Sequence, residues 1–311
     1  MGGGGDTFRN LTPEQLRDRV RQTEEKTAAA GNEAEISGVL DELLGGYNAR
    51  DVELAKDRLG QIKSALQGSI DGTFDQLFGG SVAKHTYVDG LSDVDSLVLV
   101  NDSGLENENP QVALTRMQQA IGNQLGEQAT VSVGRMAVTV EYADGMRIQL
   151  LPAIKGEQDR LRVPSGRREA WSNIDPAAFR EVLSRRNEDC GGKLIPTIKL
   201  AKAISGTLPE AQRLSGYHME SLAIAAFKDY AGEKTTRAML PAFFERAREL
   251  VLTPIRDSTG QSVHVDDDLG PANSDARIAA SHIMGRLAKR IRNATVAGST
   301  DQLRSLFDVD E

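Results

Sequence analysis

Gly79-Gly80-Ser81 is followed, twelve positions past the serine, by Asp93-Val94-Asp95 and then by the apolar run Leu97-Val98-Leu99-Val100. Glycines let backbone N–H groups approach a polyphosphate closely, and a serine hydroxyl can donate to a phosphate oxygen. Carboxylates at i and i+2 of a strand share one face, so Asp93 and Asp95 can hold the same pair of Mg²⁺ (or Mn²⁺) ions. The spacing points to metal-dependent nucleotidyl transfer, with Gly80 and Ser81 on a triphosphate and the two aspartates as catalytic metal ligands.

Polymerase-like transfer takes a third carboxylate, which holds the metal that activates the attacking hydroxyl. The natural place for it is the strand Arg147–Ala153, and the expected position there is Gln149. Glutamine offers a carbonyl oxygen but no charge, and it is not a base. The alternation of Val138, Val140 and Tyr142 against Thr139 and Glu141, and of Ile148 and Leu150 against Arg147 and Gln149, suggests a register. Matching faces sets Thr139 across from Gln149 and Glu141 across from Arg147, with the loop centred on Asp144. Glu141 would then lie diagonal to Gln149, roughly 6–8 Å between Cβ atoms. A two-residue loop would flip Glu141 to the other face, and the plainer reading of Glu141 is a surface pair with Arg147.

These residues need a sheet with helices to support it. Thr12 and Pro13 read as the N-cap and first position of a helix over 12–30. Helical periodicity marks two more, at Ala34–Gly45 and Ala49–Gln67. Leu97–Val100 reads as a buried strand, Pro110–Ile121 as a helix, and Val131–Tyr142 with Met146–Ile154 as a hairpin. The rest is helical: Pro176–Asn187, Leu194–Ile204, Tyr217–Tyr230, Lys234–Leu250 and Asp275–Ala294. Mixed α/β followed by all-α suggests two lobes. Residues 1–10 read as a disordered N-terminus, 11–160 as the catalytic core with N-terminal spine helices, and 161–311 as a helical lobe.

The chain has 311 residues, 39% hydrophobic and 26% charged, and a formal net charge of −8. That is enough chain for a substantial core. The acidic balance argues against clamping long duplex nucleic acid and favours small substrates. No apolar stretch approaches the ~20 residues of a membrane helix, and Met1–Asp6 lacks the regions of a signal peptide. The single cysteine, Cys190, excludes an internal disulfide and fits a reducing cytoplasm. Other charged features read plainly. His85 reads as a solvated loop residue, His218 as a packing or capping one, and Asp266-Asp267-Asp268 as a solvated loop. Arg286, Lys289, Arg290 and Arg292 read as a solvated helix face, and Trp171 as a packing residue. Lys199 and Lys202, three apart on one helix face, suit a triphosphate if they face a cleft.

Taken together, the chain resembles the cGAS/DncV-like nucleotidyltransferases, bacterial second-messenger oligonucleotide synthases of antiphage defence. The likeness rests on Tyr47-Asn48-Ala49-Arg50-Asp51, Gly80-Ser81-Val82-Ala83-Lys84-His85-Thr86, Ser92-Asp93-Val94-Asp95 and Gln149-Leu150-Leu151-Pro152-Ala153. It continues through Ile198-Lys199-Leu200-Ala201-Lys202, Ser215-Gly216-Tyr217-His218-Met219-Glu220 and Asp268-Leu269-Gly270-Pro271-Ala272-Asn273. The resemblance implies an α+β fold: a polymerase-β-like core with a mixed sheet and spine helices, joined to a C-terminal helical lobe that closes the nucleotide cleft. It implies that Gly80 and Ser81 bind the triphosphate, Asp93 and Asp95 bind Mg²⁺, a lysine of the Lys199/Lys202 helix and Ser215 meet phosphate oxygens, and Tyr217 stacks on a base. The family's third acid aligns with Gln149. The implied partners are nucleoside triphosphates and an effector protein that responds to the product, with no membrane. Nucleotidyl addition to a macromolecule, and nucleotide binding without turnover, are the alternatives.

Overall fold

The computed structural model describes residues 13–48, 52–70, 75–77, 94–134, 136–156, 161–164, 170–256, 266 and 269–308. Helix α1 (Pro13–Asn48) is followed by α2 (Val52–Ser69), and α3 (Pro110–Leu125) lies between the strands β2 (Val94–Leu99) and β3 (Ala129–Val133). Strands β1 (Asp75–Leu77), β4 (Val138–Tyr142), β5 (Arg147–Lys155), β6 (Leu161–Pro164) and β7 (Trp171–Ile174) complete a seven-stranded sheet. Its order is β1-β2-β5-β4-β3, with β6 on β5 and β7 on β6. Only the β2–β5 pair is parallel, so the sheet is mixed as expected. The helices α4 (Pro176–Asp189), α5 (Leu194–Gly206), α6 (Gly216–Ala226), α7 (Thr236–Leu250), α8 (Asp275–Ala297) and α9 (Thr300–Arg304) follow.

Period-2 alternation decides which face of the sheet is dry. Val138, Val140, Tyr142, Ile148 and Leu150 are buried against Leu59, Ile62 and Leu66 of α2 and Leu114, Met117 and Ile121 of α3. Asn109 starts α3 by accepting from the Gln111 N–H at 2.8 Å, with Pro110 in the first turn. Trp171 packs against the same core and donates from Nε1 to the Glu108 carbonyl at 3.1 Å.

A second core is built by the C-terminal helices, and α1 belongs to it. Ile36, Val39, Leu40 and Leu43 are buried among Leu200, Ile204, Met219, Phe243, Met284 and Ile291. The sheet is therefore supported by α2 and α3, whereas α1, expected as a spine helix of the sheet, packs on the helices that follow residue 176. The expected break between two N-terminal helices is also absent. An interior glycine costs a helix only about 1 kcal/mol, so Gly31 is carried through and α1 is continuous. Gly298, at φ 63 where α8 ends, shows why a glycine is needed there: a Cβ would fall 2.5 Å from the Asn32 side chain.

The expected first hairpin arm, Val131–Tyr142, is two strands. The chain turns at Gly134, whose N–H donates to the Ala137 carbonyl at 2.8 Å. Strands β1, β6 and β7 escaped sequence reading because they are three or four residues long and carry no sustained alternation.

Candidate active site

The parallel ladder pairs Asp95 of β2 with Gln149 of β5, and the antiparallel ladder pairs Gln149 with Thr139 of β4. Asp95, Gln149 and Thr139 thus form one row across the sheet. The same ladder pairs Glu141 with Arg147, which is the register that face matching gives. Adjacent strands lie about 4.8 Å apart and successive same-face residues about 6.8 Å. Gln149 is therefore the immediate neighbour of Asp95, while Glu141, two strands across and two residues along, is about 12 Å away between Cα atoms. Glu141 is exposed and stands too far off to replace Gln149 beside Asp95.

The turn between β4 and β5 locks this register. Gly145 has φ 86, and its N–H donates to the Tyr142 carbonyl at 2.9 Å. Asp144 accepts from Arg58 Nη1 at 3.0 Å and Nη2 at 2.8 Å, and from the Met146 N–H at 3.1 Å. The Arg58 guanidinium also lies 3.9 Å from the centre of the Tyr142 ring. The Arg58 hydrogen bonds, followed by the one from Met146, hold the Asp144 carboxyl below its ordinary value. A residue of α2 thereby clamps the hairpin that sets Gln149 beside Asp95.

Gly80, Ser81, His85 and Asp93 lie outside the described residues, and Asp95 is placed by its strand pairing alone. Among the described residues no cluster of three or more His, Cys, Asp or Glu could hold a metal. The row itself offers a carboxylate, an amide carbonyl and a hydroxyl, all oxygen donors. That donor set suits a hard cation such as Mg²⁺ and not zinc, which favours nitrogen and sulfur.

The expected nucleotide-binding residues of the helical half gather on α5 and α6. Ser215 is the N-cap of α6, its Oγ accepting from the His218 N–H at 3.2 Å. Tyr217 is half-buried, with the Phe179 ring 4.6 Å away and tilted by 43°. Lys199 and Lys202 are 9% and 8% exposed, so they are not a solvated helix face. Lys202 Nζ donates to Glu220 Oε1 at 2.7 Å. Glu220 is a residue that sequence reading passed over. The acidic run is also corrected: Asp266 is fully buried and accepts from Arg277 Nη1 at 2.5 Å. Arg277, itself fully buried, also donates to the carbonyls of Val251, Gly270 and Asp266. His218 Nε2 stands 3.6 Å from Asp266 Oδ2, and both are buried. Arg286, Lys289, Arg290 and Arg292 are exposed on α8, as a solvated face requires.

The mixed sheet, with Asp95, Gln149 and Thr139 paired in one row, and the helices that follow it have the architecture of polymerase-β-like nucleotidyltransferases. Residues 46–187 match the Second Messenger Oligonucleotide or Dinucleotide Synthetase domain family, a nucleotidyltransferase domain. Known structures are similar over nearly the whole length. CdnG of Bradyrhizobium diazoefficiens, in complex with GTP, superposes with TM-score 0.63 at 16% identity, covering 88% of this chain and 95% of that one. E. coli CdnC with ATP gives TM-score 0.58 at 16% identity over 87% and 92%. Vibrio cholerae DncV cyclic AMP-GMP synthase with a linear intermediate gives 0.58 at 12% over 96% and 90%. At these identities the likeness speaks for the fold. No curated protein matches the sequence.

Proposed function

We propose that this chain joins nucleoside triphosphates into a cyclic or short linear oligonucleotide, releasing pyrophosphate, and that the product is a second messenger for an effector protein in antiphage defence. The observation that carries the reading is the row Asp95–Gln149 in the parallel β2–β5 ladder, within a stretch that matches a second-messenger synthetase domain. The metal would be Mg²⁺ or Mn²⁺, held by Asp93 and Asp95, with Gln149 paired beside Asp95. When bound, it supplies charge neutralisation and lowers the pKa of the attacking hydroxyl.

A 2′- or 3′-hydroxyl of one nucleotide attacks the α-phosphorus of another. The new O–P bond forms as the bond to the pyrophosphate oxygen breaks, and the hydroxyl proton leaves to solvent. Asp93 and Asp95 would hold the metal, Gly80 and Ser81 bind the leaving phosphates, and Lys199, Lys202 and Ser215 meet the polyphosphate from the helical half. Tyr217 stacks one face on a base, its neighbour Phe179 fixing the ring. CdnG and CdnC have structures with GTP and ATP, which supports NTPs as substrates here. No helix among the described residues is long and apolar enough to cross a membrane, which accords with action in the cytoplasm.

Gln149 favours one competing reading, a nucleotide binder without turnover, because the row has a neutral amide where catalysis would use a carboxylate. Labelled NTPs incubated with Mg²⁺ and resolved by chromatography separate the cases. The proposed function gives a small soluble product and stoichiometric pyrophosphate. Label retained on RNA or protein indicates transfer to a macromolecule, and NTP binding with no product indicates the binder.

A further inference from the structure

Lys202 leaves α5 and runs along the first turn of α6. Its Nζ donates to Glu220 Oε1 at 2.7 Å, and a Cβ placed on Gly216 would stand 3.3 Å from that Nζ and 3.5 Å from Cε. Gly216 and Glu220 are four apart, on one face of the helix. The ammonium is thus held between a residue with no side chain and a carboxylate one turn further in. This is also the end of α6 where Ser215 caps and where unsatisfied N–H groups carry partial positive charge.

Exposure divides the pair unequally, at 7% for the Lys202 side chain and 1% for that of Glu220. Both side chains are buried, the carboxylate the more completely. A methyl group at position 216 would push Nζ aside, because a 3.3 Å contact is tighter than a Cβ ordinarily makes.

We propose that Glu220 is a positioning residue for the nucleotide: together with Gly216 it holds Lys202 aimed at the polyphosphate end of a nucleoside triphosphate. This rests on the reading of Lys202 as a phosphate-binding residue. Glu220 never touches the ligand. It acts through Lys202, so its effect must depend on phosphate count and on the presence of the lysine.

Calorimetric titration of the full chain with ATP and GTP, each against AMP and GMP, all with Mg²⁺, tests this in K202M, E220Q, G216A and the K202M/E220Q double variant. K202M weakens triphosphate binding about tenfold or more. E220Q and G216A each weaken it about fivefold while monophosphate binding stays within about twofold. In the K202M background, E220Q adds no loss beyond about twofold, because the two residues act as one unit. An E220Q effect of equal size with and without Lys202, or one that falls equally on mono- and triphosphates, overturns the proposal. If K202M weakens triphosphate binding and neither E220Q nor G216A does, the positioning role fails and the phosphate role of Lys202 stands. If K202M leaves triphosphate binding intact, the phosphate role fails and the positioning role falls with it. Should E220Q not fold, G216A in both backgrounds makes the same comparison.

Discussion

Gln149 puts a neutral amide next to Asp95 where a carboxylate would add a second negative charge. Carboxylates on neighbouring strands of one row repel unless a cation lies between them, so an amide at 149 is expected to ease the metal-free state and weaken the hold on a dication. Gln149→Asp is expected to tighten Mg²⁺ binding about tenfold, read by calorimetry, because ligand charge tunes affinity for hard cations. Two other residues set pH limits. Hydrogen bonds from Arg58 hold Asp144 below its ordinary value. Its contribution to stability is therefore present above the unfolded aspartate pKa and lost as pH falls through the lower folded-state one. Thermal melts from neutral pH down into the acid range should show that loss, and Asp144→Asn should flatten it. Tyr47 works at the other end. Burial pushes its hydroxyl from 10.0 up to about 12, so the unfolded chain gives up that proton first. Stability is whole below about pH 10 and declines as pH rises from 10 toward 12, and Tyr47→Phe removes this alkaline limb. Since the Tyr47 hydroxyl has no hydrogen-bond partner among the described residues, the phenylalanine variant should melt no lower than the parent at neutral pH.

Helix α8 is fastened by Arg277, which ties the loop around Asp266 to the helix through side-chain and carbonyl contacts in a fully buried setting. Removing the cation strands a buried carboxylate, so Arg277→Met should cost about 3–5 kcal/mol in denaturant unfolding. Adding Asp266→Leu to that variant should recover much of the loss, since a matched apolar pair carries no unpaired charge. Neither partner was legible as buried from sequence. Asp266 stands in a run of three acids, and Arg277 sits in the first turn of an alanine-rich helix, where aspartate and arginine are ordinarily solvated. The β4–β5 register, by contrast, was legible. The apolar sets Val138/Val140/Tyr142 and Ile148/Leu150 admit one alignment that buries both, and Arg58–Asp144 then pins it. The length of α1 was misjudged because Gly31-Asn32 resembles a helix stop, although burial further along the helix outweighs it.

Among the described residues the two larger cores lie under the sheet and among α1 and the C-terminal helices, with a small third cluster of Leu97, Ala153 and Val163. The candidate residues divide between the larger two, and those of the sheet half are proposed from sequence spacing, Gly80, Ser81 and Asp93 lying outside the described residues. The helical half was legible only as a set of candidates. Lys202 and Glu220 are 18 residues apart on different helices, and each has the look of a surface charge until the packing of α5 on α6 brings them together. The account as a whole rests on transfer chemistry at the row containing Asp95. Pyrophosphate release from mixed NTPs with Mg²⁺, compared between the parent chain and Asp95→Asn under conditions where both bind NTP, tests that most directly. The parent is predicted to release pyrophosphate, and the variant about 100-fold less or slower still. Equal release from both, or none from a parent that binds NTP, would contradict it.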